Sequence, residues 1–369
     1  MTVRRLILFF VFFPLMACAP RGEITLYAGA GEVGNVQKIF IGTTREFDLL
    51  IGRPTGNRGE ELVFGRVDVS VPPERETGSV TWPYNATPDP AKHFLVDDFA
   101  SYRDSSSFTK AVQKALRGRT GDERVATIFV HGFNNTFSEG LYRFAQLVED
   151  LDLPFLPIHY SWPSAGHPLG YGYDRDSMLY ARDGLEELIR ATLRSGVKEV
   201  ILIGHSMGAL LTMESLRQLA ISNETSVMRR IGGVLLLSPD IDIDLFRQQA
   251  KRIGKLPQPF YIFSSTKDKA LRLSAGLTGQ TARLGNAEDI GPLADLDVTL
   301  VDISAFSDGL ADHNVALSSP GFLKLIRSVP DLVGTIGKTR GPNLLPGTVL
   351  VVQNATKLVI GNPSQPDDG

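Results

Sequence analysis

One cysteine in 369 residues leaves no second thiol for an internal disulfide, so the fold must be held by its core alone. Charge is scarce too: 21% of residues are Asp, Glu, Lys or Arg, and the formal net charge is -3. With that balance and no long basic run, a nucleic-acid partner is not expected. The six histidines and the lone cysteine form no cluster with metal-ligand spacing, so neither a metal nor an organic cofactor is expected. No repeat of solenoid period is present. What the chain does have is 43% hydrophobic residues, enough to bury one large domain or two.

The first residues differ in character from the rest. Arg4 and Arg5 precede an apolar run from Leu6 to Leu15, which is broken at Pro14, and Ala17 follows. That is the charged, apolar and small-residue layout of an export signal over residues 1–17, and the run is too short to span a bilayer comfortably. Cys18 stands directly after Leu15-Met16-Ala17, which resembles the lipobox of bacterial lipoprotein signal peptides. The resemblance implies lipidation at Cys18, a tether over 18–37, and an exported protein anchored to a membrane surface of the cell envelope rather than threaded through it.

Strand and helix signals follow in order. Within the tether, Ile24 to Tyr27 is one possible strand. Lys38 to Gly42 reads as a strand; after a polar, Gly-rich stretch over 53–60, Val67, Val69 and Val71 alternate with Asp68 and Ser70, as in a strand with one solvated face. Pro72, Pro73, Pro83, Pro88 and Pro90 make the next stretch an extended wrapping loop. Phe108, Val112, Ala115 and Leu116 then share one helical face. Residues 38–123 are thus read as N-terminal strands and a wrapping loop.

From 124 to 332 the pattern becomes regular. Strands are expected at Val125 to Val130, Pro157 to Ser161, Val200 to Ile203, Gly233 to Leu237, Pro259 to Phe263 and Val298 to Ile303. Helices are expected at Ser138 to Asp150, Ser177 to Leu193, from Gly208, near Leu245 to Ile253 and around Phe322 to Ser328. Strands separated by helix-length segments imply a mostly parallel sheet with helices on both faces. Residues 333–369 read as a loosely attached tail.

The centre of this pattern is Lys-Glu-Val-Ile-Leu-Ile-Gly-His-Ser-Met-Gly at 198–208. A buried strand runs into Gly204-x-Ser206-x-Gly208, the form of a nucleophile elbow, and a helix opens directly after it. A serine hydroxyl is a poor nucleophile at neutral pH and needs a base, itself oriented by an acid. Partners come from loops at the carboxyl ends of later strands, and His313 is the one histidine beyond the elbow. For the acid, Asp268 after the strand at 259–263 is preferred on strand order, with Asp240 as the competitor. The oxyanion of acyl transfer needs two N–H donors. Met207 supplies one from the elbow, and His131-Gly132-Phe133-Asn134-Asn135 supplies the other at Phe133, with His131, Gly132 and Asn134 supporting that loop. Trp162, at a strand end on the same side, either lines the pocket or plugs the core.

These segments, with Ser161-Trp162-Pro163-Ser164, Ser238-Pro239-Asp240-Ile241-Asp242 and Asp268-Lys269-Ala270-Leu271, resemble the α/β-hydrolase superfamily over about residues 38 to 330. The likeness is to a bacterial esterase or lipase-like branch, often lipoprotein-anchored, whose function is unknown. It implies an α/β-hydrolase fold with extra N-terminal strands and no large lid, with Ser206 as nucleophile, His313 as base and Asp268 as acid. The expected substrate is a small-molecule acyl ester. Alternatives are thioesterase, amidase or acyltransferase chemistry on the same triad, or a catalytically silent envelope scaffold.

Overall fold

Val200, Leu202, Ile201 and Ile203 of one short strand are all buried, but they belong to two different cores. Successive side chains of a strand point to opposite faces, so a strand covered on both sides must be apolar throughout. In the computed structural model, which describes residues 21–48, 53–279, 283–287, 291–307, 312–328, 349–353 and 357–361, this strand lies in the middle of an eleven-stranded sheet.

In chain order the strands are β1 Asn35–Asp48, β2 Arg53–Val71, β3 Leu95–Tyr102, β4 Val125–Val130, β5 Leu156–Ser161, β6 Glu199–His205, β7 Ile231–Leu237, β8 Phe260–Ser264, β9 Thr299–Asp302, β10 Val349–Gln353 and β11 Lys357–Gly361. Their order in the sheet is β11-β10-β9-β8-β7-β6-β4-β5-β1-β2-β3. Pairing is parallel from β10 through to β1, and antiparallel between β1 and β2, β2 and β3, and β10 and β11.

The helices are α1 Ser105–Ala115, α2 Phe137–Leu151, α3 Tyr171–Tyr180, α4 Arg182–Arg194, α5 Met207–Ile221, α6 Thr225–Met228, α7 Ile243–Ile253, α8 Lys269–Leu277, α9 Val315–Ser318 and α10 Pro320–Ser328. Leu185 and Leu188 of α4, Leu210 and Leu211 of α5 and Phe246 of α7 pack on one face of the sheet. Leu141 and Phe144 of α2 and Phe322, Leu323 and Ile326 of α10 pack on the other. Thr136 starts α2 with a capping box: its hydroxyl accepts from the Glu139 amide, and the Glu139 carboxylate accepts from the Thr136 amide.

Several segments depart from the sequence reading. The wrapping loop contains β3, an edge strand whose Asp97 and Asp98 interrupt any apolar alternation, and β2 already begins at Arg53 because β1 offers backbone partners to its polar half. The long helix expected at 177–193 is two helices, α3 and α4, meeting at Ala181. Part of the expected tether is built into the structure: β1 starts at Asn35, Leu26 bridges to Val96, and Arg21 donates to the Asn134 side chain at 2.9 Å. In the expected tail, β10 extends the sheet beside β9. The export signal and Cys18 lie outside the described residues.

Three histidines, His131, His159 and His205, are buried. Burial, reinforced by the Arg45 guanidinium, pushes His159 down to about 3, and neither of its ring nitrogens has a hydrogen-bond partner among the described residues. In the unfolded chain such a ring titrates near 6.5. Between about 6.5 and 3 the unfolded state therefore holds more protons, so stability rises with pH across that window and is lost on acidification. Above it the ring is neutral in both states and contributes nothing. Thermal melts from pH 7 to pH 4 should show a steep acid limb, shallower in His159→Leu by about one proton, or about 1.4 kcal/mol per pH unit. An identical slope in that variant would contradict the assignment.

Candidate active site

Ser206 has φ 54° and ψ -120°, a backbone conformation that side-chain-bearing residues rarely adopt. It persists because the turn is clamped on both sides. The Ser206 amide donates to Leu237 O of β7 at 2.9 Å, and a Cβ on Gly208 would lie 2.3 Å from His131 O and 2.4 Å from Val130 O. On the facing loop, a Cβ on Gly132 would come within 2.9 Å of Ser206 Cβ. Only glycine permits this approach of β4's end to the elbow. Gly208→Ala is accordingly expected to destabilise the protein by about 1–3 kcal/mol, from overpacking alone. It should also slow any reaction at Ser206, read by thermal melting together with active-site labelling; a variant that melts and labels like wild type would contradict this.

His313 lies in the turn Asp312–Asn314, just before α9. Its Nδ1 is 2.8 Å from Asp268 Oδ2, and that carboxylate is fully buried. Asp268 is also the N-cap of α8, its Oδ1 accepting from the Leu271 amide at 3.0 Å. One oxygen held by a helix end leaves the other fixed towards the imidazole. Asp240, the competing acid, is otherwise engaged: Tyr171 OH donates to Oδ2 at 2.9 Å, Ser274 Oγ to Oδ1 at 2.8 Å, and Arg283 Nε stands 3.0 Å from Oδ1. The carboxylate against His313 is therefore that of Asp268, and Asp240 is a buried ion-pair partner.

His205, next to the serine, faces the same turn. Burial first, and then the neighbouring His313, push it down to about 3, so it is neutral. Its Nε2 is 3.2 Å from the His313 carbonyl. A carbonyl only accepts, so the proton sits on Nε2 and the ring ties the elbow to the His313 backbone.

The loop after β4 is braced along its length. The amides of Asn134, Asn135 and Thr136 donate to Asp174, Ser164 and Glu139, while that of Phe133 has no protein acceptor among the described residues. Met207 is the first residue of α5, a position whose N–H has no intrahelical acceptor. His131 stacks on Trp162 with ring centroids 5.0 Å apart, and Trp162 Nε1 donates to His131 O at 2.7 Å. Trp162 is fully buried and does not line the cavity at Ser206. Of its two expected placements it takes the core.

Sequence reasoning missed one residue beneath this loop. Arg45 of β1 is buried and held down to about 9 by that burial. It donates to Ser161 Oγ at 2.9 Å, Ser164 O at 2.9 Å and Asn135 O at 2.8 Å. Asp174 is buried as well, and desolvation raises it. A single charged residue in a β-strand carries no signal that distinguishes it from a solvated one.

Ser206, His313, Gly132, Phe133 and Tyr171 line one cavity of about 600 Å³. Its mouth includes Leu273 and Leu277 of α8, which are 67% and 64% exposed.

A strained serine between a central parallel strand and a helix, a glycine-bearing loop after the neighbouring strand, and a histidine reaching an aspartate after a later strand define the α/β-hydrolase class. Residues 104–328 match the family described as "Alpha/beta hydrolase of unknown function (DUF900)", and the chain belongs to it. No curated protein matches it. Among solved structures it is similar to a putative hydrolase from Agrobacterium vitis, at 12% identity and TM-score 0.37, over 82% of this chain and 99% of that one. It is also similar to a dienelactone hydrolase from Anabaena variabilis, at 14% identity and TM-score 0.39, over 80% and 94%. A third is lipase B from Aspergillus fumigatus, at 15% identity and TM-score 0.35, over 64% and 63%.

Proposed function

We propose that the protein is a carboxylic ester hydrolase acting through Ser206, His313 and Asp268. Ser206 Oγ attacks the ester carbonyl while His313 takes its proton, and the oxyanion is met by the amides of Phe133 and Met207. Collapse expels the alcohol, which receives the proton back from His313, and leaves an acyl group on Ser206. Water then attacks that acyl-enzyme by the same route, releasing the acid. Asp268 holds the imidazole with its proton on Nδ1, so that Nε2 is the basic nitrogen. The reading is carried by the 2.8 Å contact of His313 with Asp268 at the rim of the cavity that holds the strained Ser206. The leucines at the mouth of that cavity favour an acyl chain there.

A fluorophosphonate probe together with p-nitrophenyl esters of graded chain length tests the reading. Labelling at Ser206 and turnover are expected, and folded protein that does neither would overturn it.

We further propose that the enzyme is a lipoprotein of the cell envelope, facing the periplasm or cell exterior. Cys18→Ser is expected to move it from the membrane fraction to the soluble fraction. Retention in the membrane would refute the anchor.

A further inference from the structure

The charges that face the catalytic cavity are matched, with one exception. Arg21 is paired with Glu139 and Asp240 with Arg283. Arg143 of α2 also lines the cavity, but its contacts are neutral: Nη1 donates to Gly78 O at 2.8 Å and to Gln146 Oε1 at 2.7 Å. Among the described residues no carboxylate forms an ion pair with it. The acid whose field reaches it is Asp150, and that carboxylate is taken up by Arg75 at 2.5 Å and by the Gly78 amide at 2.8 Å.

Arg143 thus brings an unneutralised cation and spare donors to the cavity, since a guanidinium has five N–H groups in a planar fork. Burial pulls it down to about 10, which leaves it charged at neutral pH. Its field reaches the elbow, where it adds to the forces that keep His205 neutral. Sheet order sets the direction. β4, which leads through its loop into α2, lies on one side of β6, whereas β8, which leads into α8, lies on the other. The serine therefore sits between a cationic wall on α2 and an apolar wall at Leu273 and Leu277 on α8.

We propose that Arg143 binds an anionic group of the substrate, a carboxylate or a phosphate, so that the enzyme prefers anionic esters to neutral ones of similar length. The inference rests on the hydrolase reading of the same cavity and narrows its substrate class. A fork of N–H donors lining the cavity favours an anion through charge-assisted hydrogen bonds, which are stronger than neutral ones.

Two substrate pairs test it. One compares p-nitrophenyl hemiglutarate with p-nitrophenyl hexanoate, placing a carboxylate on the acyl side. The other compares monobutyryl glycerophosphate with monobutyrin, placing a phosphate on the alcohol side. Wild type is expected to favour the anionic member of at least one pair by on the order of tenfold in kcat/KM, chiefly through KM. Arg143→Gln should bring that ratio to about one, Arg143→Lys should keep part of it, and added salt should erode it.

The proposal is overturned if neither anionic ester is favoured, or if the ratio survives in Arg143→Gln. Should the Gln variant not fold, an Arg143→Lys protein with an unchanged ratio and salt response overturns it equally. Neutral esters cleaved and Ser206 labelled, with no anionic preference, would defeat this inference alone. Absence of labelling and of turnover on every ester would defeat the underlying hydrolase reading as well.

Discussion

Ser206→Ala is expected to abolish fluorophosphonate labelling and to lower kcat on a p-nitrophenyl ester by roughly a millionfold, the scale seen when one member of such a triad is removed. His313→Ala should lose a comparable factor, and the double variant should be hardly worse than either. In the proposed triad the three groups act as one unit: an unactivated hydroxyl attacks no faster than water, and a base without a nucleophile has nothing to deprotonate. Neither substitution should cost much stability, because Ser206 lines the cavity and the His313 side chain is 23% exposed. Losses that instead multiplied in the double variant would mean that the two residues act independently, contrary to a shared triad.

How far this site could be read in the sequence follows from the range of the interactions that build it. The elbow was legible because strand, turn and helix are contiguous from Glu199 to Ile221. The His131 to Asn135 loop was legible because it ends a run, Val125 to Val130, that is wholly buried. The preference for Asp268 over Asp240 rested on strand order; in the structure Asp268 stands against His313 and also caps α8, a second role the sequence did not display.

Arg45 and Arg21 were not legible. Arg45 reaches Ser164 and Arg21 reaches Asn134, 119 and 113 positions away, and local pattern carries no trace of such pairs. The same holds for β3: it is a strand because the neighbouring edge of β2 offers it hydrogen bonds, not because its own side chains alternate.

Asp268→Asn and Asp240→Asn should separate chemistry from stability. In Asp268→Asn the side-chain oxygen can still accept from the Leu271 amide, so α8 keeps its cap and the fold its geometry. The NH2 then faces His313 Nδ1, a position that now needs an acceptor, and the proton moves to Nε2, the nitrogen that must receive it from Ser206. kcat should fall by about 10^4 with little change in melting temperature. In Asp240→Asn the outcome reverses. Arg283 is 2% exposed, and losing its carboxylate strands a buried cation, at a cost of about 3–5 kcal/mol. Activity per folded active site, counted by fluorophosphonate titration, should stay within about tenfold of wild type, while the melting temperature drops by several degrees. If Asp240→Asn were thermally intact but inactive, and Asp268→Asn active, the hydrogen bond between His313 and Asp268 would not be the one that orients the base.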